Sequence, residues 1–176
     1  MTTATPRPAA PPHALLTPSF SVRTARPDEA TALAALSLPF VASGALRERP
    51  VSLYADRAAD FLVLEASDGT LEGCVGLRAY PDGDPDGGAD AGLAGVVYNF
   101  CVAEHQQGSG AGAGLLRAVL TMARTRSLDA LFTATTGSGG LFLRYGFTPT
   151  TADLAPRAWA ESLDPRRNAR VLVRTW

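Results

Sequence analysis

The run FCVAEHQQGSGAGAGLL, Phe100 to Leu116, decides how the rest of the chain is read. Phe100, Cys101 and Val102 are a short apolar run of the kind that buries as a strand, and a polar turn follows them. Gly108-Ser109-Gly110-Ala111-Gly112-Ala113-Gly114 then passes unbroken into Leu115, Leu116, Val119, Leu120 and Ala123, spaced as one face of a helix. Strand, glycine turn and helix start together make an anion site. The first backbone N–H groups of a helix have no internal partner and sit at the positive end of its dipole. Glycines remove the Cβ atoms that would hold a phosphate off those amides. The stretch therefore predicts a ligand carrying phosphate or pyrophosphate.

Outward from it, composition bounds the answer. A chain of 176 residues fits one domain whose core needs neither disulfides nor a structural metal. A net charge of −1 gives no electrostatic case for nucleic acid or an anionic membrane as partner. All 16 of its Lys and Arg residues are arginine, so no lysine is available as a Schiff base or phosphate clamp. Cys74 and Cys101 each lie in an apolar run and read as buried small hydrophobes; they could pair only if their strands adjoin. Residues 1–18, rich in Pro, Ala and Thr, are expected to be a disordered tail before a domain at 19–176. That tail lacks the pattern of a signal peptide, and no apolar run is long enough to span a bilayer, so a cytoplasmic location is expected.

In order, the chain predicts a strand at Phe20–Thr24, then a helix opened by Arg26-Pro27-Asp28-Glu29 and closed by Pro39. A second helix is expected from Pro50 to about Ala59, then strands at Phe61–Glu65 and Leu71–Tyr80 joined by an Asp68-Gly69 hairpin. After an acidic glycine-rich loop, Val96–Val102 leads into the glycine turn and its helix. A strand at Ala130–Thr136, a short helix at Gly139–Tyr145 and a strand from Phe147 follow, with Arg170–Trp176 closing the sheet. The order β-α-α-β-β-β-α-β-α-β-β is a mixed α+β sheet rather than an alternating βα repeat.

The glycine turn formally matches the dinucleotide pattern at Gly108-x-Gly110-x-x-Ala113, yet the next strand ends in Thr133-Ala134-Thr135-Thr136 without the expected acid. A P-loop fails for want of Gly-Lys-Ser/Thr. Gln107-Gly108-Ser109-Gly110-Ala111-Gly112 instead resembles the acyl-CoA signature Q/R-x-x-G-x-G/A of the GNAT N-acetyltransferase superfamily. The opening helix, the hairpin, the signature and Phe142 to Phe147 all fall in that family's order. The resemblance implies a GNAT fold: a mixed, mostly antiparallel central sheet, splayed at the acyl-CoA site, with helices on both faces. It implies acetyl-CoA as co-substrate and no metal, the pyrophosphate resting on the amides of Gly108 to Gly112, Ser109 and Ala111 included. The pantetheine arm would run beside Phe100, Cys101 and Val102, near Phe142, with the thioester carbonyl polarised by a backbone N–H.

Several segments resemble the branch typified by N-acetylglutamate synthase: Gly44 to Arg49, Gly73 to Leu77, Leu131-Phe132 with Thr135-Thr136, and the tail Arg166-Arg167-Asn168-Ala169-Arg170-Val171-Leu172-Val173. The acceptor implied is the α-amine of a small amino acid, glutamate-like or an analogue. A carboxylate is best gripped by the planar fork of arginine, which nominates Arg49 and Arg167, with Thr135 beside them. Gly137, Gly140, Ala169 and Val96 stand where the synthases carry polar groups. Acetyltransferases that detoxify arsenic compounds or phosphinothricin-like amino acids therefore stay open beside glutamate, as does a non-catalytic acyl-CoA-binding module. A homodimer is also left open.

Acetyl transfer needs a deprotonated amine, a polarised thioester and a protonated leaving thiolate. Many relatives use a tyrosine on the short helix as the acid, in the slot that Phe142 fills. Tyr145, three residues on, is expected to share that helix face and act instead. Asn99, polar in an apolar strand, is the candidate for orienting the amine or a proton-carrying water, unless it faces outward. Direct transfer in a ternary complex is expected over an acyl-Cys101 intermediate, because an apolar setting should push that thiol's pKa up. Glu104 and His105 read as exposed turn residues. Asp82-x-Asp84-x-Asp86-Gly87 imitates the start of a calcium loop but lacks its closing Glu, and reads as an acidic hairpin loop.

Overall fold

The computed structural model describes residues 20–80 and 92–176. The tail at 1–18 and the calcium-like Asp82 to Gly87 lie outside the described residues.

Seven strands form one sheet in the order β1-β2-β3-β4-β5-β7-β6. They are β1 (Ser21–Thr24), β2 (Phe61–Glu65), β3 (Leu71–Tyr80), β4 (Ala94–Val102), β5 (Ala130–Thr135), β6 (Thr148–Thr150) and β7 (Arg170–Thr175). Every pairing is antiparallel except β4 with β5. This is the mixed, mostly antiparallel α+β sheet read from the sequence.

Helix α1 (Ala30–Ala42) differs from the sequence reading by running through Pro39. A proline so near the end forfeits one amide bond, while its own carbonyl still accepts from Ser43 N–H at 3.1 Å. Helix α2 (Val51–Asp56) follows a connection that ends at Pro50. Helix α3 (Ala111–Thr125) lays Leu115, Leu116, Val119, Leu120 and Ala123 against β2, β3 and β4, each buried. Burial of a leucine or valine side chain stabilises by roughly 1.5–3 kcal/mol, which fixes the helix start on the sheet. Helix α4 (Gly140–Arg144) packs Phe142 into the same core. On the opposite face α1 and α2 cover Phe61, Val63, Cys74 and Cys101. A further helix, α5 (Arg157–Ala160), lies where the sequence suggested only a connection, and seats Trp159 with Val96, Phe132 and Val171.

At the first sheet edge, Arg23 bonds Glu29 (2.6 and 2.9 Å) and Glu65 (2.7 Å). The Arg23 contacts hold the Glu29 carboxyl at about 2, below its ordinary 4.5. A carboxyl depressed in the fold stabilises fully above the unfolded value and loses that contribution as pH falls through the folded one. Glu29→Gln should therefore lower urea stability in full above about pH 5, and the gap from wild type should close toward pH 2. A gap independent of pH would contradict the ion pair.

Candidate active site

The site begins where β4 leaves its parallel neighbour. Pairing of β4 with β5 covers Ala94↔Ala130, Gly95↔Leu131 and Val96↔Phe132, and then stops, although both strands continue. The Val97 carbonyl accepts instead from Thr133 Oγ1 at 3.1 Å, a side chain standing in for the missing ladder. On the other side, Cys74↔Cys101 and Gly76↔Tyr98 leave one β3 residue, Val75, opposite two on β4, Asn99 and Phe100, a β-bulge at Asn99. Asn99 has φ 51°, in the left-handed region that asparagine tolerates better than most side chains. A bulge increases local twist, which turns the end of β4 away from β5 and opens a cleft.

Asn99 is buried, not outward-facing. Its Nδ2 donates to Ser37 Oγ (3.0 Å) and Cys74 Sγ (3.5 Å), and its Oδ1 accepts from Tyr54 Oη (3.3 Å). The side chain nominated to orient the amine is thus committed to a buried network that fastens the bulge to α1 and α2. Cys74 and Cys101 sit opposite each other as free thiols, Sγ to Sγ 3.5 Å. The bond between them raises the Cys74 thiol and, contrary to the sequence expectation, lowers that of Cys101.

Below the bulge a cavity of about 480 Å³ is lined by Phe100, Cys101, Val102, Gln107, Gly108, Gly110 and Gly112, with Phe40, Ala113, Leu141 and Arg144. Gly108 and Gly110 have φ 83° and 92°, and a Cβ on either would meet nothing within 4 Å. They open space in front of the α3 N-terminus, whose Gly112 and Ala113 amides precede any carbonyl of their own helix. This cradle suits a diphosphate. Gln107 Nε2 donates to the Val102 carbonyl (3.2 Å) and braces the turn. Three nominated residues stand elsewhere. Ser109 caps the turn, donating to the Gln106 carbonyl (2.7 Å) and accepting from Ala111 N–H (3.3 Å), while Ala111 is buried. Phe142 is core, edge-on to Phe100 and Phe147 at 5.5 and 5.3 Å.

Above the bulge lies a cavity of about 720 Å³, bounded by β4 residues Val96 to Asn99, the connection before α2, and the segment from Ala152 to Val171. One wall is apolar, with Val96, Trp159, Leu163 and Val171. The other carries arginines. Arg47 donates to the Ser162 carbonyl (2.8 Å), and Arg167 Nη2 to the carbonyls of Gly44 and Ala45 (2.8 and 3.0 Å), which ties the tail to the connection. Arg78 lies over the Tyr80 ring, 4.7 Å from its centroid. Arg49 differs. It is partly buried, its Nε has no hydrogen-bond partner, and no carboxylate pairs with it among the described residues. Burial lowers its pKa, the sign of a cation short of solvent.

Two nominated residues stand apart from this cavity. Thr135 does not line this cavity; its hydroxyl accepts from Gly137 N–H (3.2 Å), and strand alternation turns Ala134 and Thr136 inward instead. Tyr145 lies outside both cavities, its hydroxyl accepting from Arg117 on α3 at 2.9 Å. The helix ends at Arg144, so Tyr145 occupies the cap and not the helical face that a three-residue spacing implies. His105 reaches Glu72 at 2.9 Å from an exposed turn. Sequence reasoning passed over Tyr98 and Trp159 in the upper cavity and Phe40, Leu141 and Arg144 in the lower one. Arg144 alone offered a signal, a cation beside the cradle.

Residues 30–147 match the model of the Acetyltransferase (GNAT) family. An amino-acid acetyltransferase of Ralstonia nicotianae is 32% identical over 153 residues, 87% of this chain and 32% of the relative. One from Pseudomonas fluorescens is 29% identical over 154 residues, 88% and 33%. The chain thus spans about a third of the length of the curated relatives it matches. Among solved structures, N-acetylglutamate synthase from Neisseria gonorrhoeae, complexed with coenzyme A and N-acetyl-glutamate, is similar at a TM-score of 0.78 and 27% identity, over 89% of this chain and 35% of that one. A Mycobacterium tuberculosis protein in complex with CoA and NLQ shares the fold at a TM-score of 0.71 and 21% identity, over 89% of this chain and 99% of its own.

Proposed function

Since the chain belongs to the acetyltransferase (GNAT) family, and is by that membership an N-acetyltransferase, we propose that it moves acetyl from acetyl-CoA to the α-amine of a small amino acid. The observation that carries the reading is Arg49: a partly buried guanidinium lining the upper cavity, with no carboxylate paired to it among the described residues. Such a cation is most simply completed by a carboxylate that arrives with the ligand. The amino-acid acetyltransferases among its relatives point the same way.

The two cavities meet on β4, one ending at Asn99 and the other starting at Phe100. Acetyl-CoA enters from below, its diphosphate on the α3 amides and its arm along the edge of β4 that β5 leaves unpaired. The thioester carbonyl lies against that edge, where a backbone N–H stabilises the developing oxyanion. The acceptor enters from above with its carboxylate on Arg49, so that its amine reaches the thioester directly. The C–N bond forms as the C–S bond breaks; the amine proton leaves through water, and the thiolate of CoA takes up a proton. Arg167 acts one step back, holding the connection that bears Arg49.

The test is thiol release from acetyl-CoA with a panel of amino acids, glutamate and phosphinothricin included, each beside its carboxamide. Free acids should show KM values at least about tenfold below their amides, the worth of one charge-assisted bond pair. Equal KM values for acid and amide would overturn the assignment.

A further inference from the structure

Resting on the carboxylate role of Arg49, we propose that Tyr98 is a positioning residue for the acceptor: its ring is the platform that holds the Arg49 guanidinium in place, and Gly76 is the notch that seats the ring. Gly76 and Tyr98 are cross-strand partners. A Cβ built on Gly76 would lie 2.5 Å from Tyr98 Cζ and 2.6 Å from Cε1, so the ring rests directly on the glycine backbone. Phe61 meets it edge-on, centroids 5.2 Å apart at 73°. Held from beneath and from the side, the ring presents a face to Arg49, whose Cζ stands 4.9 Å from its centroid.

The chemistry explains why a ring, and not an acid, occupies this place. A carboxylate partner would satisfy Arg49 but cancel its charge and occupy the fork that a ligand needs. An aromatic face attracts the cation through its quadrupole and leaves every N–H free. Arg47 and Arg167, by contrast, already donate to main-chain carbonyls. The Tyr98 hydroxyl takes no part, being buried without a partner among the described residues; burial lifts its pKa to about 12. The ring is the working part, and phenylalanine should replace it.

Steady-state kinetics with the preferred amino acid test this. Tyr98→Leu should raise the acceptor KM about five- to tenfold, with the effect falling on neither kcat nor the acetyl-CoA KM, and Tyr98→Phe should restore the acceptor KM to within about twofold. Combined with Arg49→Ala, Tyr98→Leu should add nothing, because the platform acts only through the arginine. Should the leucine variant not fold, phenylalanines carrying one to three ring fluorines at position 98 keep the shape while draining the ring face. The acceptor KM should then climb with each fluorine. A flat fluorine series, or a Tyr98→Leu enzyme with wild-type acceptor KM, overturns the platform while Arg49→Ala still raises that KM. If Arg49→Ala has no effect on the acceptor KM, the carboxylate reading falls and the platform falls with it.

Discussion

Replacing Arg49 by alanine is expected to raise the amino-acid KM by one to two powers of ten and to leave the acetyl-CoA KM where it was. The size follows from the environment. A charge-assisted hydrogen bond contributes about 1.5–3 kcal/mol where solvent is partly excluded, which is roughly 10- to 150-fold in an equilibrium. The selectivity follows from geometry: Arg49 lines the upper cavity, and the glycine turn proposed to hold the diphosphate lies beyond the bulge in the lower one. The loss should be large for free acids and small for the matching carboxamides, which never engaged the charge. Folding should not suffer. Removing a partly buried cation that has no acidic partner among the described residues relieves a desolvation cost, so the thermal midpoint of the variant should equal or exceed that of wild type. A drop in stability with no change in acceptor KM would make Arg49 a structural residue.

How much of this was legible in the chain depends on how far apart the contributing residues lie. The glycine turn and the α3 face are contiguous, so period and composition sufficed to predict the strand, turn and helix start. The parallel β4–β5 pair and the splay after Val96 depend on pairings across more than thirty residues. A resemblance could imply them; local pattern could not. Asn99 shows the limit. A polar side chain in an apolar strand invites a catalytic role, yet its partners Ser37 and Tyr54 lie 62 and 45 residues away. Tyr145 stands off the helical face for a smaller reason: the helix ends one residue before it, and its hydroxyl accepts from Arg117. Tyr98 went unread because an aromatic in a strand is ordinarily core. Only the glycine opposite it marks the difference, and Gly76 is significant only once the register is known.

Asn99→Ala should lose about 2–4 kcal/mol of stability, measured by denaturant unfolding, because two effects add. The buried Tyr54 hydroxyl loses its bond to Asn99 and Ser37 the one it accepts, two bonds at about 0.5–1.5 kcal/mol each, while Tyr54 still donates to Ser37 at 3.2 Å. Alanine at φ 51° carries a further left-handed cost of about 1 kcal/mol. Asn99→Gly separates the two, for glycine forfeits the same bonds and adopts that φ without strain. The glycine variant should therefore be about 1 kcal/mol more stable than the alanine variant, the reverse of the usual order within a strand. Both should lower kcat more than either KM, since in the proposed mechanism the bulge sets the distance from the backbone edge that polarises the thioester to the amine held above it. If alanine proves as stable as glycine, the bulge does not hold its left-handed geometry in solution. The separation of the two cavities along β4 would then need another cause.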